Sequence, residues 1–187
     1  REVGAGKTYA TIQAAHTAMT AGDTILVYSG AYNETTILTI TKSATIIGVG
    51  FVKIKATGGF QDVLFQTASS TNSIKGVMFN GGTVTSRLVQ FDGCSLVIDR
   101  CYFDYSKVGV YQATNAVGKT ATVKNCAFKL TSVATPSTGV LVGGTGFTTT
   151  IRDNKFNSVS TSLLTVSNAF IHLQSQVAPI VDNNLTV

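Results

Sequence analysis

Between residues 102 and 111, four side chains carry the chemistry of a sugar platform: Tyr102, Asp104, Tyr105 and Tyr111. Aromatic rings offer flat apolar area with a polar tip, and a carboxylate accepts hydrogen bonds from hydroxyls. Along an extended groove these groups would hold a polysaccharide by stacking. At the corners of a repeat, the tyrosines would fill space instead. Cleavage asks for more, because glycosidic hydrolysis needs two carboxyls at a set separation. The nine acidic residues of this chain are dispersed. Asp153 and Asp182 are the one like-charged pair that a repeat brings to equivalent positions, and no wider acidic cluster accompanies them.

Other reactive residue types lead elsewhere. His16 sits on a helical pattern with no Asp, Ser or Cys motif near it, which marks it as a residue at the edge of an apolar face. Cys94, Cys101 and Cys126 have no CxxC spacing and form no zinc pattern. Cys101 and Cys126 fall in the same slot of neighbouring repeats, about 5 Å apart at Cα and within the disulfide window. Parallel neighbours in register point their side chains alongside one another, so buried free thiols are the expectation. GAGKT at residues 4–8 lacks the earlier glycine and the preceding strand of a phosphate-binding loop. The chain is expected to hold no metal and no cofactor.

What must position these residues is a repeat. A β-branched residue is followed five positions later by Phe or Leu at Ile46/Phe51, Ile74/Phe79, Ile98/Phe103, Val123/Phe128, Ile151/Phe156 and Ile180/Leu185. Successive starts are 28, 24, 25, 28 and 29 residues apart. A period in the twenties is that of a solenoid, in which each unit buries its apolar face by stacking on its neighbours. Adjacent coils stack about 4.8 Å apart, so equivalent residues form ladders. The expected structural ladders are Phe51, Phe79, Phe103, Phe128 and Phe156, then Cys101 and Cys126, then Asn154 and Asn183. Lys75, Asp99 and Lys124 are expected to alternate as a surface ion-pair ladder. A TxT array suited to ice would have to recur at the coil period, and in the linear sequence it does not. A second apolar strand precedes each later frame, as in DVLFQ, RLVQF, VGVYQ, TGVLVG and AFIHLQ, with Gly, Asn, Ser and Thr turns between. One helix is predicted over residues 11–21, with Thr11 as its cap and Gly22 ending it.

The N-terminal region resembles a known family. TIQAA at residues 11–15, GDTILV at 22–27, GAYNE at 30–34 and the strand pair ITKSATIIG are similar to the N-terminal cap and first coil of right-handed parallel β-helix proteins of the pectate-lyase-like superfamily. The resemblance implies an all-β, single-stranded right-handed parallel β-helix of about six coils with a short N-terminal capping helix. It forms a single domain over 1–187, with cap and first strands at 1–44 and repeated coils at 45–187. It does not specify function, since that superfamily holds lyases, esterases, hydrolases, phage tailspikes, adhesins and inert shafts. GFQDVLF at residues 59–65 resembles the GYQDTLY motif of pectin methylesterases, and GAYNE their GxYxE motif. The second catalytic Asp motif and the LGRPW-like arginine segment have no counterpart.

Composition narrows the function classes. Only 12% of residues are charged, with a net charge of +5 from scattered basic residues. No basic cluster interleaved with aromatics marks a nucleic-acid surface, and no apolar run nears the roughly 18 residues of a membrane span. The chain begins at Arg1, which suits a processed start or a piece of a longer protein. The expectation is a non-enzymatic structural protein on the exterior of a virus particle, such as a bacteriophage capsid decoration, spike or fibre component. Its partners would be other virion or surface proteins, docked on an uncapped C-terminal coil whose strand edge is open. A homotrimer and a bound host glycan are compatible with it. The alternatives are a polysaccharide-binding or polysaccharide-degrading module and a bacterial surface adhesin.

Overall fold

In the computed structural model, residues 1–34, 36–56, 61–66, 71–80, 87–105, 107–112, 114–130, 137–158, 169–174 and 177–186 are described. The chain opens with a short strand, β1 (Glu2–Val3), and a helix, α1 (Ile12–Ala18). Thr11 caps the helix by accepting from the Ala14 amide at 3.1 Å. The helix ends at Met19, three residues before Gly22, so it is shorter than its apolar periodicity suggests. Beyond the helix the chain winds into a parallel β-solenoid with three faces. The first stacks the leading halves of β2 (Thr24–Glu34) and β4 (Thr45–Ala56) on β6 (Thr71–Lys75), β9 (Ser95–Asp99), β12 (Lys119–Lys124), β15 (Phe147–Arg152) and β18 (Val177–Asp182). The second stacks the trailing halves of β2 and β4 on β7 (Met78–Asn80), β10 (Tyr102–Tyr105), β13 (Ala127–Leu130), β16 (Lys155–Ser158) and β19 (Leu185–Thr186). The third is a six-stranded sheet of β3 (Leu38–Ile40), β5 (Gln61–Phe65), β8 (Arg87–Phe91), β11 (Val108–Gln112), β14 (Thr138–Val142) and β17 (Ala169–Leu173).

β-branched residues at alternate positions favour such strands and point one side chain in two toward the axis. Ile25, Ile46, Ile74, Ile98, Val123 and Ile151 therefore stack in register as one buried column. Phe79, Phe103, Phe128 and Phe156 form the next column. Their rings lie parallel, with centroids 5.1, 4.6 and 4.8 Å apart, close to the strand spacing itself. The third face makes room for this stack. Gly109 and Gly139 face Phe128 and Phe156, and a Cβ on Gly139 would lie 2.7 Å from the Phe156 ring and 2.7 Å from the Phe170 carbonyl. Phe170 then covers the end of the stack, 5.4 Å from Phe156.

Between the first and second faces each rung turns on one residue in the left-handed region: Gly76, Arg100, Asn125, Asp153 and Asn183, with φ of 65°, 53°, 54°, 57° and 49°. The next residue points inward, giving Val77, Cys101, Cys126, Asn154 and Asn184. A relay runs down this column. The Cys101 amide donates to Cys126 Sγ at 3.4 Å, the Cys126 amide to Asn154 Oδ1 at 2.9 Å, and the Asn154 amide to Asn184 Oδ1 at 3.1 Å.

Several expectations are corrected by the structure. Phe51 is not in the aromatic ladder. Ile54 stands opposite Phe79, and Val49, Gly50 and Phe51 are three residues of β4 with no counterpart in the following rung, pinned where Ser29 Oγ accepts from the Phe51 amide at 3.2 Å. Asn183 is not the partner of Asn154. Ala178 and Pro179 disturb the β15–β18 register, Val181 and not Ile180 lies opposite Ile151, and the frame slips by one so that Asn184 takes the inward slot. A proline has no N–H for the ladder, and such irregularities are where strands tolerate it. The same slip places Asp182 beside Arg152, away from the Asp153 level, and leaves Leu185 56% exposed. Finally, Asp99 does lie between Lys75 and Lys124, but it pairs with Arg100 at 3.3 Å and accepts from Asn125 Nδ2 at 2.9 Å.

Two substitutions test the core. Asn154→Leu removes the acceptor of a buried amide and should cost about 1–3 kcal/mol. Gly139→Ala forces a methyl against the ring stack and should cost a similar amount, about 1–3 kcal/mol. Chemical denaturation of each variant measures both.

Candidate functional site

On the second face, alternate side chains point outward. One outward column runs Lys53, Met78, Tyr102, Ala127 and Lys155, and the next runs Asn80, Asp104, Lys129 and Asn157. Tyr102 and Asp104 thus share a face because they are two residues apart on one strand. Tyr111 does not join them. It lies on β11 in the third sheet, under the Arg87 guanidinium at 3.8 Å from the ring centroid. Tyr105 ends β10, and its side chain lies outside the described residues, as does that of Asp62 at the start of β5.

The corner insertion creates the most distinctive surface. Phe51 is 68% exposed. It forms a wall of a groove of about 430 Å³ whose other members include Met78, Arg100 and Tyr102. Gly50, with φ 82°, and Gly76 keep the floor low. Arg100 occupies the left-handed corner that the other rungs give to Gly, Asn or Asp, at a backbone cost of about 1–2 kcal/mol for a residue with a Cβ. Its Nε is anchored on Asp99, while the side chain remains 69% exposed. Burial, and secondarily the Asp104 charge, push the Tyr102 phenol above its usual range, so it stays a neutral donor.

The face is also basic. Lys53, Lys55, Lys129 and Lys155 take part in none of the four ion pairs among the described residues. Asp104 is the one carboxylate among the described side chains of this face. The chemistry available is therefore aromatic stacking, a guanidinium held by its corner, and a field of positive charge.

Sequence reasoning found Tyr102 and Asp104 but placed Phe51 in the core and did not single out Arg100. One signal could have exposed Phe51. VKI at residues 52–54 matches VMF at 77–79 better than GVGF does, which would have shifted the frame past the aromatic.

The three thiols are structural. All are free and buried, and Cys126 Sγ donates to the Lys124 carbonyl at 3.1 Å. Burial, and then the neighbouring Cys101, push the Cys126 thiol far above its ordinary value. Among the described residues no group of three or more His, Cys, Asp or Glu is placed to hold a metal ion, and no helix is long and apolar enough to cross a membrane.

No family model matches the chain, and no curated protein matches it. Two solved structures are similar. A pectin methylesterase variant in complex with a hexasaccharide superposes with a TM-score of 0.51 at 15% identity, covering 92% of this chain and 70% of that one. The pectin methylesterase of Aspergillus niger covers 100% of this chain and 85% of its own, at 14% identity and a TM-score of 0.41. A thiol reagent at neutral pH should leave all three cysteines of the native protein unlabelled and label all three in denaturant, read by mass. The stacked parallel rungs, the N-terminal helix and the superposition together show the fold: the chain is a right-handed parallel β-helix.

Proposed function

We propose that this β-helix is a non-enzymatic structural module of an exterior surface, a virion decoration, spike or fibre component, that binds an acidic polysaccharide along its second face. The observation that carries the reading is Phe51. A 68% exposed ring beside Tyr102 and Arg100, in a groove bordering a face that carries four lysines, is what a sugar ring bearing a carboxylate would need. Large exposed aromatics next to an apolar groove mark interaction surfaces. The structural part of the reading is supported by low charge, a Ser- and Thr-rich surface and a continuous core. The half-exposed Ile180, Val181 and Leu185 on the last rungs offer contacts for other virion or surface proteins, or for copies in a trimer. The same logic applies to a shaft on a bacterial cell.

Calorimetric titration with a uronic-acid oligosaccharide and its neutral counterpart tests this. The acidic sugar should bind more tightly, with affinity falling as salt rises. Phe51→Ala and Arg100→Gln should each weaken binding about tenfold or more, equal to ~1.4 kcal/mol. No new reducing ends should form on prolonged incubation. Equal binding of the neutral sugar, unchanged binding by Phe51→Ala, or cleavage of the polymer would each contradict the proposal.

A further inference from the structure

The helix α1 is held on the solenoid by an unusual set of hydrogen bonds. β3 is the end strand of the third sheet, and its outer edge would be open without the cap. Gln13 covers it, with Oε1 accepting from the Thr39 amide at 3.1 Å and Nε2 directed to the Thr39 carbonyl at 3.5 Å. His16, 3% exposed, completes the attachment. Its Nε2 accepts from two consecutive backbone amides, Thr41 and Lys42, each at 3.2 Å. Two N–H groups directed at one nitrogen require a lone pair there, so the imidazole is neutral and its hydrogen sits on Nδ1.

The surroundings oppose a second proton. Lys42 places its ammonium 2.8 Å from the Thr17 and Met19 carbonyls at the end of the same helix. Arg1 donates to the Ala18 carbonyl at 3.1 Å. Among the described residues no carboxylate compensates: Asp23 is engaged by Arg1 and the Thr20 amide, and Glu2 by Tyr28 and Lys7. α1 itself carries no acidic residue, and neither β3 nor the turn after it supplies one.

We propose that His16 is an acid-sensitive latch, which holds the N-terminal cap on the first rungs at neutral pH and releases it when the imidazole takes up a proton. Protonation at Nε2 replaces the lone pair with an N–H, and the Thr41 and Lys42 amides then lose their acceptor and face a donor. Three cations would crowd the end of a seven-residue helix. Release would bare Ile12, Ala15 and Met19 and the edge of β3, the surface on which such a protein could join another strand. Burial, and then Lys42, hold the imidazole below its ordinary 6.5. The latch's contribution is therefore fully present above that value and is lost as pH falls through the lower folded value.

Hydrogen exchange, corrected for intrinsic rates, tests the latch on the whole chain. Between about pH 7.5 and about pH 5, protection at Thr41 and Lys42 and through α1 should fall about tenfold or more. Protection of Ile98 and Val123 in the central rungs should hold. His16→Gln, whose side-chain oxygen can accept but does not titrate, should abolish the pH dependence. Unchanged cap protection in the wild type, equal loss in His16→Gln, or simultaneous loss in the central rungs would overturn the proposal. Should His16→Gln not fold, imidazole nitrogen NMR of the wild type decides. An unprotonated Nε2 at neutral pH and a midpoint below 6.5 support the latch, and a protonated Nε2 or a higher midpoint overturns it.

Discussion

One residue per rung turns the first face into the second, and everything else in the solenoid inherits its register from that turn. A left-handed residue breaks the strict in–out alternation of a strand, so the side chains on either side of it can both point inward. It also strands an amide that no sheet ladder can satisfy. The relay from Cys101 through Cys126 and Asn154 to Asn184 resolves this, because each corner amide finds its acceptor in the inward side chain of the following rung. Cysteine and asparagine thereby do one job with different strength. The sulfur is a weak acceptor at 3.4 Å, whereas the asparagine side chain accepts through its oxygen and donates to carbonyls as well. A fixed corner then delivers the phenylalanines to one axis at the strand spacing, and the glycines of the third face leave the volume they need.

The candidate site arises where this rule is broken. In the β4 rung the corner carries three more residues than in the next, and Phe51 is expelled to the surface while Ile54 takes its core position. Two rungs on, the corner residue is an arginine, a poor choice for the left-handed region and a good one for reaching sideways into the space beneath Phe51. Two departures from the repeat thus meet in one groove. Departures that cost folding energy and converge on a surface are the places where a scaffold carries function.

Much of the fold was written in the spacing. The apolar columns at Ile46, Ile74, Ile98, Val123 and Ile151, the stacked rings of Phe79, Phe103, Phe128 and Phe156, and the paired buried cysteines come from a period in the twenties and the two-residue alternation of strands. What the linear pattern could not carry was insertion. A three-residue excursion at Val49, Gly50 and Phe51 and a slip at Ala178 and Pro179 both preserve the look of the frame while moving its members, which misplaced Phe51, Ile180, Asn183 and Leu185. The site suffered more than the fold. Tyr102 and Asp104 share a face because they are on one strand, but Tyr111 is on another sheet, a separation that nine residues of sequence do not reveal. Arg100 gains its meaning from the backbone conformation of its own residue.

Positive charge completes the picture. With few charged residues in the chain, Lys53, Lys55, Lys129 and Lys155 on the second face, which holds Tyr102, add positive charge beside the Phe51 groove. The most direct measurement of the sugar-binding role is a crystal structure of the protein soaked with an acidic oligosaccharide. A sugar ring stacked against Phe51 and Tyr102 with its carboxylate at Arg100 is the predicted result. A sugar ordered elsewhere on the solenoid, with the Phe51 groove vacant, would contradict it.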